Sequence, residues 1–298
     1  MRTDVVESTR LKPELLVKQE TGRARNITVD DALLVGRLFG FRPAPGGASL
    51  NSTSIGTVGG IFATQKGEKY ALSAGHVFVD TCAAAWEQSN EGVLYRRGFY
   101  PHALTPTQLK PRILGRRPEF RDATVVRLLG RTLPEPRNCG WPPEFTGDFA
   151  TAEDVAMASR LNRASEGYVW VERDAGVSRR VQIEVFSTSE KLEYQPEWCS
   201  RSAPIQFTSL FAYTYPFLHG SDGNPANEPY CTIDGDSGAG VFIRDYRNPS
   251  TCKLLGVHVM KSYDSRNRVM GLAVGVADLI ENILPGAVPY GNARLSPA

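Results

Sequence analysis

From residue 55 onward, apolar and polar positions alternate in short runs, a pattern that is typical of β-strands rather than helices. Residues 56–62 and 69–73 predict a hairpin that turns at Gly67 and ends just before His76. A further strand, rich in β-branched residues, is predicted over 122–129. Together these segments predict a first β half.

A second series of strand patterns begins at residue 168, and in 177–186 the alternation places Val181, Ile183 and Val185 on one face. The other strands of this half, followed by a short C-terminal helix, are predicted over 168–171, 207–213, 240–244, 254–260, 269–276 and 278–283. Four prolines between residues 133 and 145 are too many for a strand interior. A long connection between the two halves is therefore predicted at about 130–165.

The first 54 residues have a different texture. Thr28 followed three positions later by Asp31 is typical of a helix start, and the apolar residues that follow would form the helix face up to Leu38. Residues 41–47, rich in proline and glycine, predict a linker. The chain is thus divided into an N-terminal extension, 1–54, with a short helix and linker, and one all-β domain, 55–298.

Charge and hydropathy exclude several classes of partner. With 34 basic and 32 acidic residues the net charge is +2, which predicts no electrostatic binding to nucleic acid or to an acidic membrane. No run of about 18 apolar residues is present, so no transmembrane helix is predicted. The first eight residues also lack the apolar core of a secretory signal.

The sequence Gly-Asp-Ser-Gly at 235–238 precedes the predicted strand 240–244. Gly235 and Gly238 permit a sharp bend on either side of Ser237 and let a substrate carbonyl approach closely. Such a turn can aim the amide N–H groups of Gly235 and Ser237 at one point, as an oxyanion hole requires. An ordinary surface turn is the alternative interpretation of this short motif taken alone.

Two upstream residues favour the catalytic interpretation. His76 ends the apolar segment 70–75, and Asp122 stands at the head of the strand 122–129. A serine nucleophile needs a neighbouring base, and the base needs a carboxylate that fixes its tautomer and orientation. Taken singly, His76 could be a core histidine, Asp122 a strand-edge cap and Ser237 a turn residue. Their occurrence together, each at a strand edge, favours a triad.

These three segments resemble motifs of the chymotrypsin-like (trypsin-like) serine peptidases. The sequence Ser-Ala-Gly-His at 73–76 is similar to the family's Thr-Ala-Ala-His, and 121–128 is similar to its Asp-Ile-Ala-Leu-Leu-Lys-Leu. Gly-Asp-Ser-Gly is shared, and the resemblance covers residues 55–283. It implies a chymotrypsin-like double β-barrel, a serine endopeptidase acting on protein or peptide substrates, and neither a cofactor nor a metal. A catalytically idle trypsin-like domain that binds protein is the alternative.

In the family, the segment before the serine and a later strand line the specificity pocket. The resemblance assigns Cys231, Thr232 and His258 to substrate binding. Trypsin-like members have an aspartate at the position of Cys231, so nothing predicts a preference for Lys or Arg. Thr232 with His258 in a Gly-x-His context resembles glutamyl endopeptidases and viral chymotrypsin-like proteases, which predicts cleavage after Glu or Gln. A buried core histidine is the alternative for His258.

Two features depart from the secreted members of the family. Many members are activated when a new N-terminus pairs with the aspartate before the serine, here Asp236, but no Arg-Ile-Val-Gly-Gly junction is present. Asp236 must then be satisfied in another way, or the chain folds active without processing. Val77 stands where secreted members have a cysteine, and the five cysteines form an odd set without a CxxC motif. A reducing compartment, cytoplasmic or nuclear, is therefore predicted.

Overall fold

The structure is a computed structural model of the 298-residue chain. It describes residues 12–13, 16–19, 33–43, 52–77, 92–96, 98–99, 106–108, 112–114, 117–128, 139–160, 165–174, 177–194, 205–218, 230–263 and 268–292. Most of the predicted helix 28–38 lies outside these residues.

Over its described residues, the first half contains strands and one 3₁₀ turn, Gly75–Val77. Its strands are β1 (Lys12–Pro13), β2 (Leu16–Gln19), β3 (Leu38–Pro43), β4 (Ser52–Thr57), β5 (Gly60–Ala63), β6 (Lys69–Ser73), β7 (Gly92–Arg96), β8 (Gly98–Phe99), β9 (Pro106–Gln108), β10 (Arg112–Leu114), β11 (Arg117–Phe120) and β12 (Thr124–Leu128). The predicted hairpin is confirmed, because β5 and β6 pair antiparallel and Gly67, between them, has a φ of +75°.

Over its described residues, the second half contains seven strands and two helices before the last short strand. These elements are β13 (Phe145–Phe149), α1 (Ala152–Arg160), β14 (Ser165–Asp174), β15 (Val177–Tyr194), β16 (Ile205–Thr214), β17 (Gly240–Arg244), β18 (Cys252–Tyr263), β19 (Val269–Gly275) and α2 (Ala277–Ile283). A last short strand, β20 (Val288–Pro289), returns to pair with β5 in the first half.

Six strands of the second half close into a barrel. β14 pairs with β15, β15 with β16, β16 with β19, β19 with β18, β18 with β17, and β17 with β14, every pair antiparallel. Closure removes the exposed strand edges of these six. Nine of the first twelve strands, together with β20, form two five-stranded sheets in the orders β2-β4-β3-β7-β8 and β20-β5-β6-β12-β9, whereas β1, β10 and β11 join the sheet of the second half. The fold predicted from the sequence, an all-β chymotrypsin-like double β-barrel with a short C-terminal helix, is confirmed in its all-β class, in the closed barrel of the second half and in the C-terminal helix α2.

An aromatic cluster joins the two halves. Trp141 contacts Phe62 of β5 with ring centroids 5.8 Å apart and stacks on Phe145 of β13 at 4.7 Å. Phe145 in turn meets Phe242 of β17 edge-on at 5.3 Å. Phe62, Phe145 and Phe242 have no solvent exposure. Each such aromatic pair adds about 0.5–1.5 kcal/mol beyond burial, so the cluster fixes the position of one half against the other.

The helix predicted over residues 28–38 is wrong in its described part. Residues 33–37 form a turn, and Leu38 begins β3, which also replaces the start of the predicted linker at 41–43. Val35 N–H donates to Cys139 O at 2.9 Å, and Gly36 N–H donates to Val58 O at 2.8 Å. The backbone therefore pairs with distant segments, and Leu33 and Val35 reach the core from an irregular segment.

The long connection predicted at about 130–165 contains regular structure. β13 runs parallel to β18, and α1 follows it. Thr151 caps the helix, since its hydroxyl accepts from Asp154 N–H at 3.3 Å and its own N–H donates to the Asp154 carboxylate at 2.9 Å. None of the helices in the described part of the chain is long and apolar enough to span a membrane.

Candidate active site

His76 and Asp122 are brought together by one antiparallel strand pair. In the register of β6 and β12, Ser73 lies opposite Thr124. His76 follows the end of β6 by three residues and Asp122 precedes the start of β12 by two. Antiparallel strands juxtapose the end of one with the start of the next. The pairing that the hydrophobic pattern specifies therefore delivers both side chains to the same end of the sheet.

The Asp122 carboxylate holds His76 through both of its oxygens. His76 Nδ1 lies 2.6 Å from Oδ2, and the His76 backbone N–H donates to Oδ1 at 2.8 Å. Each side chain is only 1% exposed. Two contacts to one carboxylate fix the imidazole in orientation and favour the tautomer with the proton on Nδ1.

The other ring nitrogen of His76 is left available. Nε2 is buried and has no hydrogen-bond partner among the described residues. Buried polar atoms are usually hydrogen-bonded, and an exception points to strain or to a catalytic role. With the proton held on Nδ1, Nε2 carries a lone pair and can accept a proton.

Ser237 lies in a loop of residues 233–239, here called the serine loop, which consists of two consecutive tight turns that share Asp236. Asp236 N–H donates to Ile233 O at 3.0 Å, and Ala239 N–H donates to Asp236 O at 2.9 Å. The third residue of each turn is a glycine with positive φ, +100° at Gly235 and +92° at Gly238. A positive φ at the third position is required by a type II turn and is incompatible with a type I turn. Ser237 is the second residue of the later turn.

The turn type determines the direction in which the Gly235 N–H group points. Types I and II differ by a flip of the central peptide, which here carries the carbonyl of Asp234 and the N–H of Gly235. The positive φ of Gly235 selects the type II orientation, which most residues other than glycine cannot adopt without strain. The motif's first glycine therefore determines the direction of this N–H group.

The serine loop packs directly against the first half. Thr57 N–H donates to Ser237 O at 2.8 Å, and the Thr57 hydroxyl donates to Gly235 O at 2.9 Å. A Cβ built on Gly238 would lie 1.9 Å from Ser73 Oγ and 2.8 Å from Ala74 N. The loop thus touches the segment that leads directly into His76, and the side chain of Ser237 is completely buried.

Asp236, whose partner the sequence left open, is held within its own turn. Its carboxylate accepts from Ile233 N–H at 2.8 Å, and the residue is 1% exposed. A backbone N–H group of the same turn thus contributes a hydrogen bond to this buried carboxylate.

Thr232 and His258, the two predicted polar pocket residues, are each bound by a tyrosine, one in β16 and one directly after its end. Tyr213 Oη lies 2.5 Å from His258 Nδ1, and Tyr215 Oη lies 2.5 Å from Thr232 Oγ1. Thr232, His258 and Tyr213 have no solvent exposure. The two tyrosine rings meet edge-on at 5.6 Å, which joins both contacts into one buried polar group.

The third predicted pocket residue, Cys231, belongs to an apolar environment. It is a buried thiol that packs in the hydrophobic cluster of the closed barrel. Its proximity to Thr232 follows from sequence, but its side chain brings no charge to the pocket.

The sequence analysis did not predict that Tyr213 and Tyr215 contact His258 and Thr232. Phe211 and Tyr213 lie at alternate positions of β16, and Tyr215 continues this alternation directly after the strand. All three residues belong to the hydrophobic cluster inside the barrel. The signal was present in the pattern Phe-x-Tyr-x-Tyr, because hydroxyl groups on an inward strand face need buried partners. Nothing in the sequence alone showed which partners these would be.

Comparisons with known proteins give structural similarity only. No family model matches the chain, and no curated protein matches its sequence. Protease A of Thermobifida fusca is similar in structure, with 14% identity over 87% of this chain and 98% of that chain and a TM-score of 0.44. A glutamic acid specific serine protease, described as using a histidine triad in substrate binding, has 13% identity over 86% and 100% of the chains and a TM-score of 0.46.

A protease of M. tuberculosis in its active form is similar over a larger share of this chain. It has 13% identity over 99% of this chain and 97% of that chain, with a TM-score of 0.43. With so few identical residues, these similarities concern the course of the chain and assign no role to any side chain.

Proposed function

We propose that the chain is a serine endopeptidase in which Ser237, His76 and Asp122 form the catalytic triad. The observation that carries this proposal is the state of His76. Both oxygens of Asp122 hold it, its Nε2 is buried and unused among the described residues, and the segment before it touches the serine loop. A purely structural histidine has no need of an available lone pair in a buried site.

In the proposed mechanism, Ser237 Oγ attacks the carbonyl carbon of the scissile peptide bond while its proton passes to His76 Nε2. The tetrahedral intermediate then collapses, and the same proton is delivered to the leaving amine. Water, activated by His76, hydrolyses the acyl-enzyme. Asp122 stabilises the imidazolium that forms in both steps, and hydrogen bonds to a charged partner contribute about twice as much as neutral ones.

The amide N–H groups of Gly235 and Ser237 are proposed to bind the oxyanion. The type II geometry at Gly235 supports this assignment, because it sets the orientation of that N–H group before substrate arrives. Removing one donor from an oxyanion hole costs about 2.7–4 kcal/mol of transition-state stabilisation.

We propose that the side chain before the scissile bond is Glu or Gln, read by His258 and Thr232. When the Tyr213 hydroxyl donates to His258 Nδ1, the ring proton lies on Nε2, which becomes a donor. A neutral imidazole donor can bind one oxygen of either a carboxylate or a carboxamide. Tyr215 likewise constrains the Thr232 hydroxyl, so both polar groups are held in place before binding.

The first experiment separates the enzyme from an idle binding domain. A fluorophosphonate probe should label the purified protein covalently, and Ser237→Ala or His76→Ala should abolish the labelling. Thr232→Ser, which retains the hydroxyl, provides a matched variant with an unaltered triad that should still be labelled. Labelling that persists in the Ser237→Ala protein would refute the nucleophile, and no labelling of the wild type would favour the binding module.

The second experiment addresses specificity. Profiling with a peptide library should show cleavage after Glu or Gln, and His258→Ala should lower kcat/KM for such peptides by about ten- to a hundredfold. Tyr213→Phe removes only the contact to Nδ1 and should have a smaller effect. Dominant cleavage after Lys, Arg or large aromatic residues would overturn the pocket assignment and leave the triad intact.

A further inference from the structure

A buried lysine lies on a strand of the closed barrel, outside the proposed triad. Lys261 of β18 is only 9% exposed. Its backbone is paired on both edges, with Lys12 of β1 on one side and with Gly271 of β19 on the other. Side chains of a strand stand roughly perpendicular to its sheet. The Lys261 side chain therefore enters one of the two faces of β18.

The neighbours of Lys261 along β18 show which face it enters. Met260 belongs to the hydrophobic cluster that spans both halves of the molecule. Tyr263 packs against the other cluster, the one inside the closed barrel. Alternate residues of a strand share a face, and the pairing with β19 is regular from Lys261 to Tyr263. The Lys261 side chain therefore starts from the inner face of the barrel.

One row across three strands connects Lys261 to the proposed specificity pocket. Gly271 lies opposite Lys261 on one side and opposite Tyr213 of β16 on the other. A Cβ built on Gly271 would lie 2.2 Å from Tyr213 Cε2 and 2.7 Å from Tyr213 Oη. The tyrosine ring thus lies over the glycine, and its hydroxyl reaches His258 Nδ1 on β18 at 2.5 Å.

The Lys261 ammonium is within reach of this tyrosine hydroxyl. Directly opposite residues of an antiparallel pair have Cβ atoms about 4.5–5.5 Å apart. Since Tyr213 Oη lies 2.7 Å from the Cβ position of Gly271, it lies within about 8 Å of Lys261 Cβ. The flexible four-carbon stem of a lysine covers most of this distance. The row therefore brings a positive charge to the polar group formed by Tyr213 and His258.

A cation on this inner face changes what the pocket selects. The neutral donors proposed for His258 and Thr232 suit the carboxylate of Glu and the carboxamide of Gln alike. An ammonium on a mostly apolar face has lost much of its hydration, and a carboxylate that enters the pocket supplies a counter-charge that a carboxamide cannot supply. Hydrogen bonds between charged partners are also roughly twice as strong as neutral ones.

We propose that Lys261 is a specificity-determining residue, whose charge makes the pocket of His258 and Thr232 select Glu over Gln. The proposal rests on the proposed endopeptidase function, since it concerns the substrate side chain bound by that site. Lys261 contacts the carboxylate of the substrate and takes no part in the proton transfers of the triad.

The test compares two fluorogenic peptides that differ only in Glu or Gln before the scissile bond. The wild type should have a kcat/KM about ten- to a hundredfold higher for the Glu peptide. Lys261→Met keeps the length of the side chain but removes its charge, and should lower this Glu/Gln ratio by about tenfold or more. Lys261→Arg should retain the preference. The matched control is Lys253→Met on the same strand, which removes an ammonium bound to Asp154 at 2.9 Å and should leave the ratio unchanged.

The wild type supplies a second test that needs no variant. Titratable side chains on the same inner face or in its cluster include His258, Tyr213, Tyr215, Tyr263 and Cys231. Between about pH 5.5 and about pH 8 an ordinary imidazole loses its proton, whereas ordinary amine and phenol groups retain theirs. A preference that comes from Lys261 should therefore persist up to about pH 8, because the pH dependence of the triad cancels in the Glu/Gln ratio. A preference that disappears by about pH 8 would come from an imidazolium and would overturn the proposal.

Fluorophosphonate labelling keeps this inference separate from the proposed function. A wild type that is labelled at Ser237, yet cuts the Gln peptide as well as the Glu peptide, would overturn the role of Lys261 and leave the endopeptidase standing. An unchanged ratio in a labelled Lys261→Met protein, or an equal fall in Lys253→Met, would also overturn it. If Lys261→Met is not labelled, the persistence of the wild-type ratio up to about pH 8 decides. A wild type that is not labelled would reject the proposed function itself, and this inference with it.

Discussion

The serine loop owes its position to a glycine that nothing larger can replace. At Gly238 an added Cβ would lie 1.9 Å from Ser73 Oγ, 2.5 Å from Thr57 O and 2.8 Å from Ala74 N. Two of these three atoms belong to the backbone, so rotation of the Ser73 side chain relieves only one contact. The φ of +92° adds strain for any residue with a side chain.

We therefore expect Gly238→Ala to destabilise the protein by about 2–6 kcal/mol, the sum of about 1–3 for the backbone conformation and about 1–3 for overpacking. Gly67→Ala is the matched control, because Gly67 has a φ of +75° but no atom within 4 Å of the added Cβ. It should lose only the conformational part. Since total stability is about 5–15 kcal/mol, the difference between the two variants is readily measured.

The assay is urea unfolding of both variants, together with fluorophosphonate labelling of the folded protein at low denaturant. Gly238→Ala should unfold at lower urea than Gly67→Ala, and its labelling should be slower, because the second turn carries Ser237. If Gly238→Ala loses no more stability than Gly67→Ala, the close packing of the serine loop against β4 and β6 is refuted.

Three further predictions follow from particular contacts. Asp122→Asn should lower kcat/KM by about 10³–10⁴ while circular dichroism stays unchanged, since an amide cannot hold the His76 tautomer that leaves Nε2 free. Burial opposes ionisation of Asp154, but its hydrogen bonds to Lys253 and Thr151 outweigh burial and lower the pKa of this carboxyl below the ordinary 3.8. The stabilisation from these bonds is therefore present above that value and is lost as pH falls through the folded pKa. The urea midpoint should fall less steeply between about pH 5 and about pH 2 in Asp154→Asn than in the wild type, and identical slopes would contradict this. Burial raises the pKa of Cys139 to about 11, so iodoacetamide at about pH 8 should modify this thiol only after unfolding, and prompt native-state modification would contradict its burial.

Local sequence determined the parts of this protein whose conformation depends on near neighbours. The hairpin at Gly67, the strand β17 and the C-terminal helix were all predicted close to their observed bounds. A sharp bend on either side of Ser237 was likewise predicted from Gly235 and Gly238, and both glycines have a positive φ. Glycine spacing and the period-2 alternation of apolar residues reflect interactions over a few residues. The elements they indicate can therefore be predicted without knowing which distant segment they pair with.

The alternation also implied part of the site. The strand that starts after Asp122 and the apolar strand that ends before His76 were both predicted, but their pairing was not; in the structure they pair antiparallel, and this register juxtaposes the two side chains. The residues were identified from motif and order. Their contacts, at 2.6 and 2.8 Å, are consequences of the register.

Tertiary structure alone decided which distant residues form hydrogen bonds with a given backbone or hydroxyl group, because these partners are far away in the sequence. The apolar residues 33–38 suggested a helix, yet Val35 and Gly36 bond to Cys139 and Val58 across the sequence. The tyrosines that hold His258 and Thr232 lie 45 and 17 residues away. The pairing of residues 12–13 with β18 and of residues 16–19 with β4 depends on two strand edges that local sequence could not identify.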